Sequence, residues 1–167
     1  MIEKNGARPM KRIIIAMFVM LFAISCSSSG SNSSGADIDI PTKTKGFVEE
    51  LKKEYAGKTM IVNFFASWCP PCRGETPDFI RAYEKHKNDN FVIVGISVDK
   101  KKEDLAKFMD EFKVTYPVYH ADGALGAEMN ISTIPTSMIY KPDGKLFDIV
   151  VGPLTEKELE VVATSFK

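Results

Sequence analysis

Cys69 and Cys72 stand three residues apart, with Pro70 and Pro71 between them and Trp68 just before. Two thiols at positions i and i+3 of a helix share one face and can close a short disulfide. The preceding run Met-Ile-Val-Asn-Phe-Phe, residues 60–65, reads as a buried strand, and a helical pattern takes over after Cys72. A helix N-terminus carries partial positive charge, which stabilises a thiolate on Cys69. The thiolate is the form that attacks a disulfide. Cys69, at the helix start, is therefore expected to be the more exposed, attacking thiol, and Cys72, one turn further in, the resolving one. Two other uses of the pair fit poorly. A structural zinc takes four ligands, and the chain holds no second Cys-x-x-Cys and no paired histidines. A purely structural disulfide across so short a loop gives little chain-entropy stabilisation.

Neighbouring residues bear on the same sulfurs. Neither Pro70 nor Pro71 has a backbone N–H, so neither can donate to Cys69, and only donors from Cys72 onward remain. A less stabilised thiolate makes the dithiol the better reductant. Arg73 works in the opposite direction by adding positive charge. Glu75, three residues after Cys72, has two readings: a group that raises thiol pKa values or moves a proton to Cys72, and a solvated first-turn glutamate favoured by the helix dipole.

Trp68-Cys69-Pro70-Pro71-Cys72, the helix residue Pro77 and Ile134-Pro135 together resemble the thioredoxin superfamily, and most closely its extracytoplasmic branch of TlpA-, ResA- and DsbE-like thiol–disulfide oxidoreductases. The resemblance spans about residues 45–167. It implies an α/β thioredoxin-like fold: a central mixed β-sheet flanked by helices, with a TlpA/ResA-type insertion from about Lys100 to Met129. It implies a cis peptide bond at Pro135, with the Ile134 backbone placed to pair with an extended substrate segment as in strand addition. Trp68 would shield the disulfide and give partners a flat contact. ResA-like proteins carry an acidic residue at the place of Glu75. Plain thioredoxins usually have a buried aspartate where Asn63 stands here, a departure that fits the TlpA/ResA branch and leaves proton handling to Glu75. The substrates implied are proteins with cysteine pairs, such as cytochrome c apoproteins, with a membrane thiol protein as electron donor. No dissociable cofactor and no metal are implied.

The positioning elements follow in order. Phe47, Val48, Leu51 and Tyr55 have helical spacing over residues 45–55, and the active-site helix is expected to reach His86, burying Phe79, Ile80 and Tyr83 around a kink at Pro77. Phe91–Val98 reads as a second central, parallel strand, after which Asp99 is expected to cap a helix carrying Leu105, Phe108, Met109 and Phe112. A short strand at residues 116–119, a short helix at 124–129, a hairpin of Thr136–Tyr140 with Leu146–Val151, and a last helix opened by the capping box Thr155-Glu156-Lys157-Glu158 complete the domain. That helix is expected to bury Leu159, Val162 and Phe166. His86 and His120 read as ordinary packing or surface histidines.

The 167 residues suffice for one domain with a sizeable core, and 22 basic against 22 acidic residues exclude a nucleic-acid partner recognised by net charge. Ahead of the domain, Met10-Lys11-Arg12 and the apolar run Ile13 to Ile24 read as a signal segment, shorter than the about 20 residues of a membrane-spanning helix. Ala23-Ile24-Ser25-Cys26 resembles a bacterial lipobox, with Cys26 lipid-modified. Residues 1–25 are thus read as signal peptide, with translation starting at Met10, residues 26–41 as a lipid-anchored Ser/Gly-rich tether, and 42–167 as the domain. A cleaved soluble signal and a single membrane anchor are the competing readings of the leader. If Cys26 carries lipid, Cys69 and Cys72 are left as an isolated pair. The sequence reads as an enzyme of thiol–disulfide exchange outside the cytoplasm, anchored in the cell envelope. A peroxiredoxin-like thiol peroxidase and a copper-carrying lipoprotein are the alternatives. Against them stand the dithiol motif and the lack of an evident histidine ligand.

Overall fold

The computed structural model describes residues 39–166. The signal segment, Cys26 and the tether as far as residue 38 lie outside the described residues. Ile40, read as the end of the tether, is buried in the core, and the His120 N–H donates to Pro41 O at 3.0 Å, so the domain starts a little earlier than read. β1 (Thr42–Lys43) and α1 (Phe47–Glu54) lead into β2 (Thr59–Phe65), which delivers the chain to α2 (Pro70–His86). β3 (Phe91–Ser97), α3 (Lys102–Phe112), β4 (Val118–Ala121) and α4 (Gly123–Glu128) follow. β5 (Thr136–Tyr140), β6 (Leu146–Val151) and α5 (Glu156–Ser165) close the domain. The strands form one sheet in the order β1-β4-β3-β2-β5-β6. β2 pairs parallel with β3 and antiparallel with β5, and β6 pairs antiparallel with β5, so the sheet is mixed, as expected.

Strand parity decides what faces what. Met60, Val62 and Phe64 of β2 pack with Phe47, Val48 and Leu51 of α1 and with Leu125 of α4. Ile61 and Phe65 point the other way, into a core with Phe79 of α2, Leu105 and Phe108 of α3 and Leu159 of α5. Asn63 shares the parity of Ile61 and Phe65, so this one amide looks toward α2. The hairpin and the Thr155 capping box form as the sequence predicts, with the Thr155 side chain accepting from the Glu158 N–H and the Glu158 carboxylate accepting from the Thr155 N–H at 2.8 Å.

Several expectations shift. α2 already begins at Pro70, because the two prolines suit the first helical positions. Its fully buried face is Cys72, Glu75, Thr76, Phe79, Ala82 and His86, whereas Ile80 and Tyr83 are only half-buried. Val162 is likewise half-buried, and Phe166 terminates α5 with its ring against Phe147. β1 carried no apolar signal in two residues, and β4 starts at Val118 rather than Tyr116. Asp99 does not cap α3: the residue at that position is Lys101, which makes no side-chain cap bond. Asp99 instead turns back toward the strand it leaves, where three donors meet it.

Gly95, midway along β3, is needed for space. A Cβ there would lie 3.1 Å from Phe65 Cε1, 3.1 Å from Tyr116 Cε2 and 3.2 Å from Val118 Cγ2. Gly95→Val should therefore destabilise the fold by about 1–3 kcal/mol through overpacking, read as a lower urea midpoint with an unchanged m-value.

Candidate functional site

The site forms where β2 ends and α2 begins. Cys69 is the N-cap of α2, with extended backbone angles, and its N–H donates to Ala66 O at 3.1 Å. Cys69 and Cys72 are joined by a disulfide, with Cα atoms 5.3 Å apart. Cys69 is 3% exposed and Cys72 1%, so the expectation of an outward attacking sulfur is corrected: in the oxidised form both are covered. The cover on Cys69 is the neighbouring loop, whose Ile134 carbonyl oxygen lies 3.8 Å from Sγ. Cys69 differs from Cys72 by its place at the helix N-terminus, not by accessibility.

Ile134-Pro135 is a cis peptide bond, as the resemblance implies. The loop is tied down on both sides. Thr136 Oγ1 donates to Thr133 O at 2.7 Å, and the Gly152 N–H donates to Pro135 O at 2.9 Å. Trp68 is 66% exposed and walls an open cleft of about 750 Å³, lined also by Asp99, His120, Ile131, Thr133 and Ile134.

Glu75 is not a solvated first-turn residue. It is 4% exposed, one helical turn past Cys72 on the same buried face. Its Oε1 accepts from Asn63 Nδ2 at 3.0 Å, and its Oε2 accepts from the Leu154 N–H at 2.9 Å. Asn63 also donates to Ser137 Oγ at 3.0 Å, so β2 and the approach to α5 hold this carboxylate while β5 holds Asn63. Burial pushes the Glu75 pKa up to about 7, against the two hydrogen bonds, which favour the charged form. Asn63, which cannot titrate, thus holds a group that does so near neutrality.

Arg73 is less of a free charge than its position in the sequence suggests. Its guanidinium donates to Ser67 O at 3.2 Å, pairs with Glu111 of α3, and lies 4.9 Å from the Phe112 ring centroid. His120 donates from Nε2 to Asp99 O at 2.7 Å, and the buried His86 lies between Asp89 and Glu160. Both are packing histidines, as read. Sequence reasoning missed Asp99 as a neighbour of the site. The available signal was its place at the carboxyl end of a wholly apolar parallel strand, the end of an α/β sheet where sites gather.

The model of the AhpC/TSA family matches residues 37–149. The thiol–disulfide oxidoreductase ResA of Oceanobacillus iheyensis is 36% identical over 62% of this chain and 55% of its own length, so that match spans little more than half of the relative. The sporulation thiol–disulfide oxidoreductase A of Bacillus subtilis is 32% identical over 75% of this chain and 71% of its own. Among solved structures, a thioredoxin-family thiol:disulfide interchange protein of Chlorobium tepidum superposes with a TM-score of 0.65 at 31% identity, over 69% of this chain and 83% of its own. With a sheet-to-helix dithiol, a cis-proline loop beside it and these relatives, the chain belongs to the thioredoxin-like AhpC/TSA family, among its thiol–disulfide oxidoreductases.

Proposed function

We propose that this protein is a dithiol reductant of extracytoplasmic proteins, held at the membrane by a lipid on Cys26. The observation that carries the reductant reading is the environment of the Cys69–Cys72 pair. Two prolines follow Cys69, and Arg73, the residue after Cys72, is already paired with Glu111. A buried carboxylate, Glu75, lies one turn beyond Cys72. Each feature leaves a Cys69 thiolate with less stabilisation than an open helix N-terminus would give, and a poorly stabilised thiolate favours giving electrons away.

The steps balance without a cofactor. The Cys69 thiolate attacks one sulfur of a substrate disulfide, and the other substrate sulfur leaves as thiolate. Cys72 then yields its proton to Glu75 and attacks Cys69 Sγ, which releases the second substrate sulfur. Two electrons pass to the substrate, and Cys69–Cys72 becomes the disulfide. Glu75 suits the proton step because its pKa of about 7 lets it accept and return a proton near neutrality. The Ile134 backbone, beside Sγ, pairs with the substrate segment, and Trp68 supplies a flat apolar contact. The leader read in residues 10–26 supports an envelope location, and among the described residues no helix is long and apolar enough to cross a membrane. The family resemblance supports cytochrome c apoproteins as substrates and a membrane thiol protein as the donor that re-reduces the pair.

Equilibration of the pair with glutathione should give a potential near the thioredoxin value of about −270 mV, and a value near about −120 mV would make the protein an oxidant instead. Cys69→Ser should abolish reduction of a protein disulfide, while Cys72→Ser should accumulate a mixed disulfide through Cys69, seen as a shifted band on a non-reducing gel. With both cysteines present, Glu75→Gln should slow resolution of the mixed disulfide by roughly tenfold to a hundredfold at neutral pH.

The Glu75 pKa is raised on folding, from 4.5 to about 7, so the folded state binds the proton more tightly than the unfolded chain. Its contribution is fully present below pH 4.5 and is lost as the pH rises through about 7. Relative to Glu75→Gln, the wild type should lose on the order of 3 kcal/mol across that window, measured by urea unfolding at each pH. Parallel stability profiles for the two proteins would exclude a buried, titrating Glu75.

A further inference from the structure

Asp99 is buried, and all the hydrogen bonds its carboxylate accepts come from neutral groups. Oδ1 accepts from Ser67 Oγ at 2.7 Å and Oδ2 from Ser97 Oγ at 2.6 Å. The Ser67 N–H lies 3.0 Å from Oδ2 and 3.2 Å from Oδ1. Burying a carboxylate among neutral partners is costly, and a purely structural contact would be served by a hydroxyl or an amide. What a carboxylate adds is acceptance of every one of these bonds with no proton of its own to place.

Most of that capacity is spent on one residue. Ser67 gives Asp99 both its N–H and its hydroxyl, and its carbonyl accepts from Arg73 Nη1 at 3.2 Å. All three of its polar groups are therefore held, two by the end of β3 and one by a side chain of α2. The residue that follows is Trp68, and the next is Cys69. The far end of the clamp is equally fixed. His120 Nε2 donates to Asp99 O at 2.7 Å, and Nδ1 lies 3.3 Å from Thr42 Oγ1, which ties the Asp99 backbone to β4 and β1.

We propose that Asp99 is a positioning residue for the exchange reaction. It acts through Ser67, holding the turn from Ala66 to Trp68 so that the indole faces the cleft and Cys69 Sγ stays at the head of α2 beside Ile134 O. Asp99 itself takes no part in the sulfur exchange. The inference rests on the proposed exchange reaction, but the clamp has an observable of its own: Trp68 is the chain's one tryptophan, so its fluorescence reports the turn directly.

The test compares the full chain with Asp99→Ala, Asp99→Asn and Ser67→Ala, reading Trp68 anisotropy in the oxidised form and kcat/KM for a protein disulfide. Asp99→Ala should lower the anisotropy and cut kcat/KM on the order of tenfold, since small misplacements of reacting groups are costly. Asp99→Asn keeps one acceptor oxygen for Ser67 and should recover most of both. Ser67→Ala, which removes only the hydroxyl, should fall between Asp99→Ala and wild type. Folded Asp99→Ala with wild-type anisotropy and wild-type kcat/KM would overturn the assignment. If Asp99→Ala does not fold, Ser67→Ala decides, and unchanged values there overturn it equally. A wild-type protein that reduces no disulfide would refute the exchange reading, while the anisotropies would still judge the clamp.

Discussion

The main chain leaves a buried strand and enters a helix within four residues, and the polar groups of that turn that are shielded from water need partners. This constraint shapes the site. Ser67 is held through its N–H, its hydroxyl and its carbonyl, and the Cys69 N–H returns to Ala66 O. Phe65 O receives the Val98 N–H from the neighbouring strand. Pro70 and Pro71 bring no N–H that would need a partner at the first helical positions. The disulfide follows directly on this turn, with Cys69 as the cap of α2.

The charges around the sulfurs are arranged by how each is compensated. Arg73 is neutralised by Glu111 and stacked near Phe112, so its field at Cys69 is blunted. Asp99 is compensated by N–H and hydroxyl dipoles. Glu75 receives only two donors, and burial wins over them, which is why its pKa rises to about 7. Its second donor, the Leu154 N–H, comes from the segment just before the capping box that starts α5. Local order at the start of the last helix therefore bears on the proton balance beside Cys72.

The cleft beside Trp68 has walls from four separate parts of the chain: the turn itself, the end of β3, the β4–α4 region and the loop before Pro135. β4 and α4 belong to the segment between β3 and β5 that resembles the insertion of the TlpA/ResA branch. β4 pairs parallel with β3 on the side away from β2, and the β4–α4 region forms one wall of the cleft.

Much of this was legible in residue order because it depends on local chemistry. The Cys-Pro-Pro-Cys spacing, the apolar β2 and β3, the Pro-Asp-Gly turn of the hairpin and the Thr155 capping box each act over a few residues, and each formed as read. The cis bond at Pro135 was reached only through family resemblance, since a proline on its own favours trans. What the chain order left open was settled by burial and long-range pairing. Whether Glu75 met solvent or the core depended on Asn63, twelve residues before it, and Leu154, seventy-nine after it. Asp99 looked like a helix cap because an aspartate before a helix usually is one. Only the packing of β3 beside β2 brought Ser67, thirty-two residues earlier, within its reach. Local patterns fix which elements form, whereas the environment of a charge is the sum of everything folded around it, and no short stretch of sequence contains that sum.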